Sequence, residues 1–175
     1  ALGVGSYQEM NELAQSAPIG AEGLVALPFG NGSERVLGNK NLGASFSSLD
    51  FNRHGQAHLC RALQEGIVFS FQYGIELMKP LGLDISKVRA GKANMFLSSL
   101  FCQTLSGVSG ASIDLYETDG SLGAARGAGF GAGVYASLPE AFASLRQVDE
   151  VAPGSGDAYQ SAYAVWKQAL EQKLS

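Results

Sequence analysis

From Arg53 to Lys79 the chain runs without a proline, and Leu59, Leu63, Ile67, Ser70, Gly74 and Leu77 recur at the spacing of one helix face. At about 1.5 Å per residue such a helix is about 40 Å long, enough to cross a whole domain. Asn52 is the expected N-cap, and Pro80 and Gly82 the stop. Gly66 and Gly74 inside the helix cost about 1 kcal/mol each relative to alanine. Their expected return is close approach of a neighbouring element. Glu65 lies within the apolar stretch from Leu63 to Phe71, so it needs a partner, and Arg61 stands four residues earlier. A structural ion pair is the default reading, a catalytic carboxylate the alternative.

The flanking segments alternate between helix and strand. Ser6 and Glu9 have capping-box spacing before a helix to about Ala17, with Tyr7, Met10, Leu13 and Ala14 on one face. Leu24 to Phe29 reads as a buried strand. A polar loop runs from Gly30 to Gly43, and Ala44 to Leu49 reads as a short strand. After the long helix, Ile85 to Ala90 is expected as strand, Asn94 to Leu105 as helix, and Ala111 to Tyr116 as strand. Gly120 to Tyr135 is an alanine- and glycine-rich helix, and Ser137, Pro139 and Glu140 open a short one. Val151 to Gly156 reads as a linker. Asp157 then caps a last helix to about Lys173, with Gln160 at the box position and Tyr159, Tyr163, Val165, Trp166 and Leu170 on its apolar side. This order predicts an α/β domain with a layered sheet.

Composition narrows the function. A length of 175 residues is one domain, and 12 basic against 16 acidic residues give a net charge of −4. That balance argues against neutralising nucleic-acid phosphates. A hydrophobic share of 46% is that of a globular chain, and no apolar run reaches the ~18–20 residues of a membrane span. The opening ALGVGSYQEMN has no basic or apolar leader pattern, so no secretory signal is expected. Cys60 and Cys102 sit in apolar helical contexts and read as buried free thiols of a reducing cytoplasm. Glycine is the outlier: 23 residues, bunched at Gly30–Gly43, around Gly91 and at Gly120–Gly133, where tight loops or close packing are expected.

Three segments could carry chemistry. Val88-Arg89-Ala90-Gly91-Lys92-Ala93-Asn94 looks like a strand running through glycine into a helix N-terminus. It reads either as an ordinary turn capped by Asn94 or as a place where a flat ring or a phosphate meets the main chain. It is not a P-loop, because Ser86 and Ala93 occupy positions that motif reserves. Gly127, Gly129, Gly131 and Gly133 alternate, which is not dinucleotide-fingerprint spacing. Gly123, Ala124, Gly127 and Gly131 instead predict a flat ridge packed on another helix or a ligand. His54 and His58 share a helix spacing but have no evident third metal ligand, so capping or solvated histidines are expected.

Read together, four stretches resemble the carboxy-terminal domain of the FGGY carbohydrate kinases. Leu27-Pro28-Phe29-Gly30-Asn31-Gly32-Ser33-Glu34-Arg35, followed by Gly43, is similar to the family's P-x-x-x-G-E-R segment. Arg61-Ala62-Leu63-Gln64-Glu65-Gly66-Ile67-Val68-Phe69 resembles its R-A-x-x-E-G-x-A-F helix. Arg89 to Leu97 sits where the family has G-G-[GA] and, in one branch, A-N-N-F-L. Asp119-Gly120-Ser121-Leu122-Gly123-Ala124-Ala125 resembles its E/D-x-x-x-L-G-A-A run. The resemblance spans Leu24 to Tyr135.

The resemblance implies an actin-like, ribonuclease-H-like ATPase fold, layered α/β/α, in a truncated domain lacking its first strands. Residues 1–150 would form the nucleotide-side domain, and residues 151–175 a linker and a helix packing on it. The implied cofactors are ATP and Mg²⁺. Gly91 falls on a glycine facing the nucleotide, Asn94 on an asparagine approaching adenine, and Gly32 in a loop bordering the nucleotide. Lys92 replaces a family glycine and either reaches a phosphate or points to solvent. No catalytic residue and no metal ligand is expected in this stretch. Those groups, and the choice among ketose or polyol substrates, fall to the chain's own amino-terminal sugar-binding domain. The expected partners are that domain, the sugar, ATP and a second copy in a homodimer, with no nucleic acid and no membrane. The alternative is a non-catalytic oligomerisation or ligand-binding module of the same fold.

Overall fold

The computed structural model describes residues 3, 5–154 and 156–175. Eleven main elements run in the order α1 (Tyr7–Ser16), β1 (Val25–Phe29), β2 (Gly43–Ser47), α2 (Gln56–Met78), β3 (Lys87–Gly91), α3 (Ser99–Ser109), β4 (Ser112–Tyr116), α4 (Gly120–Gly131), α5 (Leu138–Phe142), β5 (Gln147–Val151) and α6 (Asp157–Leu174). β1 and β2 form an antiparallel hairpin. β3, β4 and β5 form a second sheet in that order, with β3 parallel and β5 antiparallel to the central β4.

α2 is the axis of the packing. It begins three residues later than its apolar spacing suggests, because Asp50 organises a turn first. The Asn52 N–H donates to Asp50 Oδ1 at 2.9 Å, and the Asp50 N–H donates to His54 Nδ1 at 2.9 Å. Gly55 is the N-cap, and its N–H donates to His58 Nδ1 at 3.2 Å. Both histidines therefore serve the start of the helix, as a capping role requires.

Gly66 explains how closely the hairpin seats. A β-carbon there would collide with the backbone carbonyl of Ala26 in β1. The same carbonyl accepts the Trp166 Nε1–H at 2.9 Å. Strand, long helix and last helix thus meet at one buried peptide group, and its oxygen is satisfied. A β-carbon at Gly74 would make only ordinary contact with Val36, so no close approach explains that glycine.

The main core joins β1, α2, α3, the inner faces of β3 and β4, and α6, with Val68, Phe101, Ile113, Trp166 and Leu170 almost fully buried. Trp166 stacks with Tyr163 and meets Phe29 and Phe69 at an angle. A smaller cluster sets Met10, Leu13 and Ala14 of α1 against Cys60 and Leu100, whereas Tyr7 is exposed. Cys60 and Cys102 are free and buried, and burial pushes both thiols up.

Several expectations change. Gly55, not Asn52, is the N-cap of α2, and Gly156, not Asp157, is that of α6. The helix foreseen from Asn94 is broken: Asn94–Leu97 is a short helical turn, and Ser98 then caps α3, its Oγ accepting the Phe101 N–H at 3.2 Å. Residues Gln147–Val151 form an unforeseen strand, β5, which takes in the first residue of the expected Val151–Gly156 linker. Among the described residues nothing seats against the glycine ridge of α4, although Arg126 of the same helix donates to the Ala141 carbonyl at 3.2 Å. No residue of α4 is buried, and β-carbons at Gly123, Gly127 and Gly131 would meet open space.

Candidate functional site

β3 and β4 are parallel and end side by side, at Gly91 and Tyr116. Ligands of parallel sheets favour the crevice outside such carboxyl ends. A cleft of about 290 Å³ opens there. Ala90, Gly91, Ala93 and Asn94 form one wall, Asp119 and Gly120 at the head of α4 another, and Phe71, Met95, Phe96 and Phe101 the apolar remainder. Phe101 meets Phe71 and Phe96 edge to face, at 6.0 and 5.2 Å between ring centres.

The backbone around the cleft is tightly constrained. A β-carbon on Gly91 would collide with the Thr118 carbonyl, so the missing side chain lets the two strand ends close on each other. The Lys92 N–H donates to the Tyr116 carbonyl at 2.8 Å, prolonging the ladder by one bond. The Ala93 N–H then turns back to the Gly91 carbonyl at 2.8 Å. Asn94 follows with φ +51°, a left-handed conformation that asparagine tolerates better than most residues.

The charges near the cleft are also set. Asp119 caps α4, with Oδ1 accepting the Leu122 N–H at 2.9 Å and the Ser121 hydroxyl at 2.7 Å. Those bonds hold its carboxyl below the usual range. Lys92 is not among the lining residues. Its ammonium lies 2.9 Å from Asp149 Oδ2 on β5. Gly32 sits on the β1–β2 connection with φ +103° and is likewise not among them. The structure therefore brings Gly91 and Asn94 together and sets Lys92 and Gly32 elsewhere. The sequence reading missed Asp119, Gly120 and the three phenylalanines. Asp119 had a usable signal, since it follows a predicted strand just as Lys92 follows β3.

A second hollow of about 240 Å³ lies among Gly20, Ala62, Glu65, Gly66, Ala162 and Trp166. Its carboxylate is already engaged. Arg61 Nε donates to Glu65 Oε1 at 2.6 Å, and the Gly20 N–H lies 3.0 and 3.1 Å from the two oxygens. Burial pushes the Glu65 carboxyl up, and these two donors, with the Arg61 charge, pull the other way. The pair is structural, as its helical spacing suggests. Among the described residues no group of three histidine, cysteine or carboxylate side chains could hold a metal, and no helix is long and apolar enough to cross a membrane.

No family profile matches the chain. Xylulose kinase of Haemophilus influenzae is 35% identical over 173 residues, which are 94% of this chain and 34% of that protein. The crystal structure of xylulose kinase from Rhodospirillum rubrum superposes with a TM-score of 0.77 at 22% identity, covering 95% of this chain and 34% of that one. Plasmodium falciparum glycerol kinase, solved with ADP, gives 0.75 at 22% identity, covering 98% and 35%. The chain thus spans about a third of the length of the relatives it matches. These neighbours have the actin-like ATPase fold, and the α/β arrangement here is that fold. By sequence and by structure, the chain belongs to the FGGY carbohydrate kinases and corresponds to their carboxy-terminal part.

Proposed function

We propose that this chain is the nucleotide-side part of an ATP-dependent sugar kinase, and that the complete enzyme phosphorylates D-xylulose to D-xylulose 5-phosphate. The cleft at the carboxyl ends of β3 and β4, where Gly91 and Asn94 stand over a floor of phenylalanines, carries the reading. The choice of sugar leans on the relative named xylulose kinase. The family resemblance keeps ribulose, rhamnulose, fuculose and glycerol as alternative substrates, and a glycerol kinase is among the structures of the same fold.

The side chains suit adenosine better than a triphosphate. Aromatic edges and a bare main chain accommodate a flat base. The Asn94 carboxamide offers a donor and an acceptor. An ionised Asp119 accepts from ribose hydroxyls or a base amino group and repels phosphate oxygens. In this reading Gly32 borders the nucleotide from the hairpin side. ATP, when bound, supplies the phosphoryl group, and its Mg²⁺ spreads the phosphate charge. This chain's residues bind and orient the adenosine end. The sugar site and the base that takes the sugar's proton belong to the amino-terminal domain, whose closure on the cleft excludes water. We further propose a cytoplasmic enzyme that forms homodimers. A non-catalytic oligomerisation module remains the second reading, favoured by the bare surface of α4.

The test is ADP release coupled to a spectroscopic readout. The full-length enzyme is expected to give its highest kcat/KM with D-xylulose, and this chain alone no release above background. A higher value with another sugar reassigns the substrate. Release by the isolated chain would contradict the division of labour.

A further inference from the structure

We infer that Lys92 is a positioning residue: held by Asp149, it fixes the Gly91–Asn94 turn in the shape that receives the nucleotide, without touching a phosphate. The inference rests on the kinase reading above and assigns a role to a side chain where the family resemblance leads one to expect glycine. Lys92 ties three strands together. It directly follows β3, its N–H is bonded to the Tyr116 carbonyl of β4 at 2.8 Å, and its ammonium reaches Asp149 of β5 at 2.9 Å. Asp149 is itself anchored, with Oδ1 accepting the Glu150 N–H at 3.0 Å. The tether spans the point where the β4–β5 register shifts, between Leu115 and Tyr116. Its neighbours Ala90, Gly91, Ala93 and Asn94 all line the cleft, and Lys92 does not.

Asn94, two residues on, holds a left-handed conformation, one that asparagine tolerates but that a fixed turn geometry favours over the alternatives open to a free chain. A lysine fastened across the sheet supplies such a constraint at the turn's first residue. The Asp149 carboxyl is held below its usual range, first by the Lys92 hydrogen bond, so it is ionised at neutral pH. Both side chains are about half exposed, which limits the effect to that of a surface pair.

The test is a double-mutant cycle in the full-length enzyme, with Lys92→Met, Asp149→Asn, the double variant and Lys92→Arg. Each single change is expected to raise the KM for ATP about 2- to 5-fold, leaving kcat and the KM for sugar unchanged. The double variant is expected to be no worse than either single, and Lys92→Arg to stay near the parent. Amide hydrogen exchange at Ala93 and Asn94 is expected to speed up in both single variants, a readout independent of turnover. A rise with Lys92→Met but none with Asp149→Asn would make Lys92 a direct phosphate contact and overturn the proposal. So would additive effects, or unchanged exchange. An enzyme that transfers no phosphoryl group to any sugar overturns the kinase reading instead, while the exchange data still decide whether the tether holds.

Discussion

α2 and α4 are both interrupted by glycine, yet α2 is buried along much of its length and α4 has no buried residue. In α2 the absent side chain of Gly66 is filled by the Ala26 carbonyl, which Trp166 then satisfies. In α4 the places beside Gly123, Gly127 and Gly131 are empty among the described residues. Gly91 resembles Gly66, since its space is taken by the Thr118 carbonyl. A glycine signals close approach only where a second element arrives to use the space. The two filled glycines hold the scaffold and the cleft, and the unfilled ones mark a surface.

Breaking the filled sites gives the largest effects. Gly66→Ala is expected to cost about 3 kcal/mol, because backbone must move and the Trp166 bond is disturbed. The Tm should fall by about 6 °C or more, read by thermal or urea denaturation. An unchanged Tm would show that β1 is not seated on Gly66. Next, Gly91→Val pushes Thr118 and the head of α4 away from β3. In the full-length enzyme the KM for ATP is expected to rise about 10-fold, with a much smaller change for sugar. Equal changes for both would remove Gly91 from the nucleotide side.

The unfilled sites sharpen the comparison from the other direction. Gly127→Ala meets nothing among the described residues and improves helix propensity, so it is expected to stabilise the chain by about 0.5–1 kcal/mol. A Tm raised by about 2 °C would confirm an open surface. If the same change lowers activity in the full-length enzyme, the α4 ridge is covered there by another part of the protein. A loss of stability in this chain would contradict the open surface.

How much of this was legible in the sequence follows from the same physics. α2, its Arg61–Glu65 pair and the use of Gly66 could be read because one helix face must be apolar along its length. The Ser6 and Ser137 caps could be read because capping is local: Ser6 Oγ accepts the Glu9 N–H at 3.1 Å and Ser137 Oγ the Glu140 N–H at 3.3 Å. The partner of Glu9 differs, since its carboxylate takes the Gly5 N–H at 2.7 Å. β5 was invisible because it is an edge strand with four exposed residues, so Gln147 to Val151 carries no buried alternation. The break before α3 was hidden because Asn94 suits a helix start and a left-handed turn equally well. In the cleft, Gly91 and Asn94 were legible from a strand running into glycine. Phe71 and Asp119 were not, because only the parallel pairing of β3 with β4 and the packing of α2 on α3 bring them there.

The central claim is that adenosine rests against the Gly91–Asn94 turn. The most direct measurement is a crystal structure of the full-length enzyme with a non-hydrolysable ATP analogue. The base is expected in the cleft between Asn94 and Asp119, over Phe71 and Phe96, with Lys92 still on Asp149. A base bound anywhere else, with this cleft left to solvent, would contradict the account.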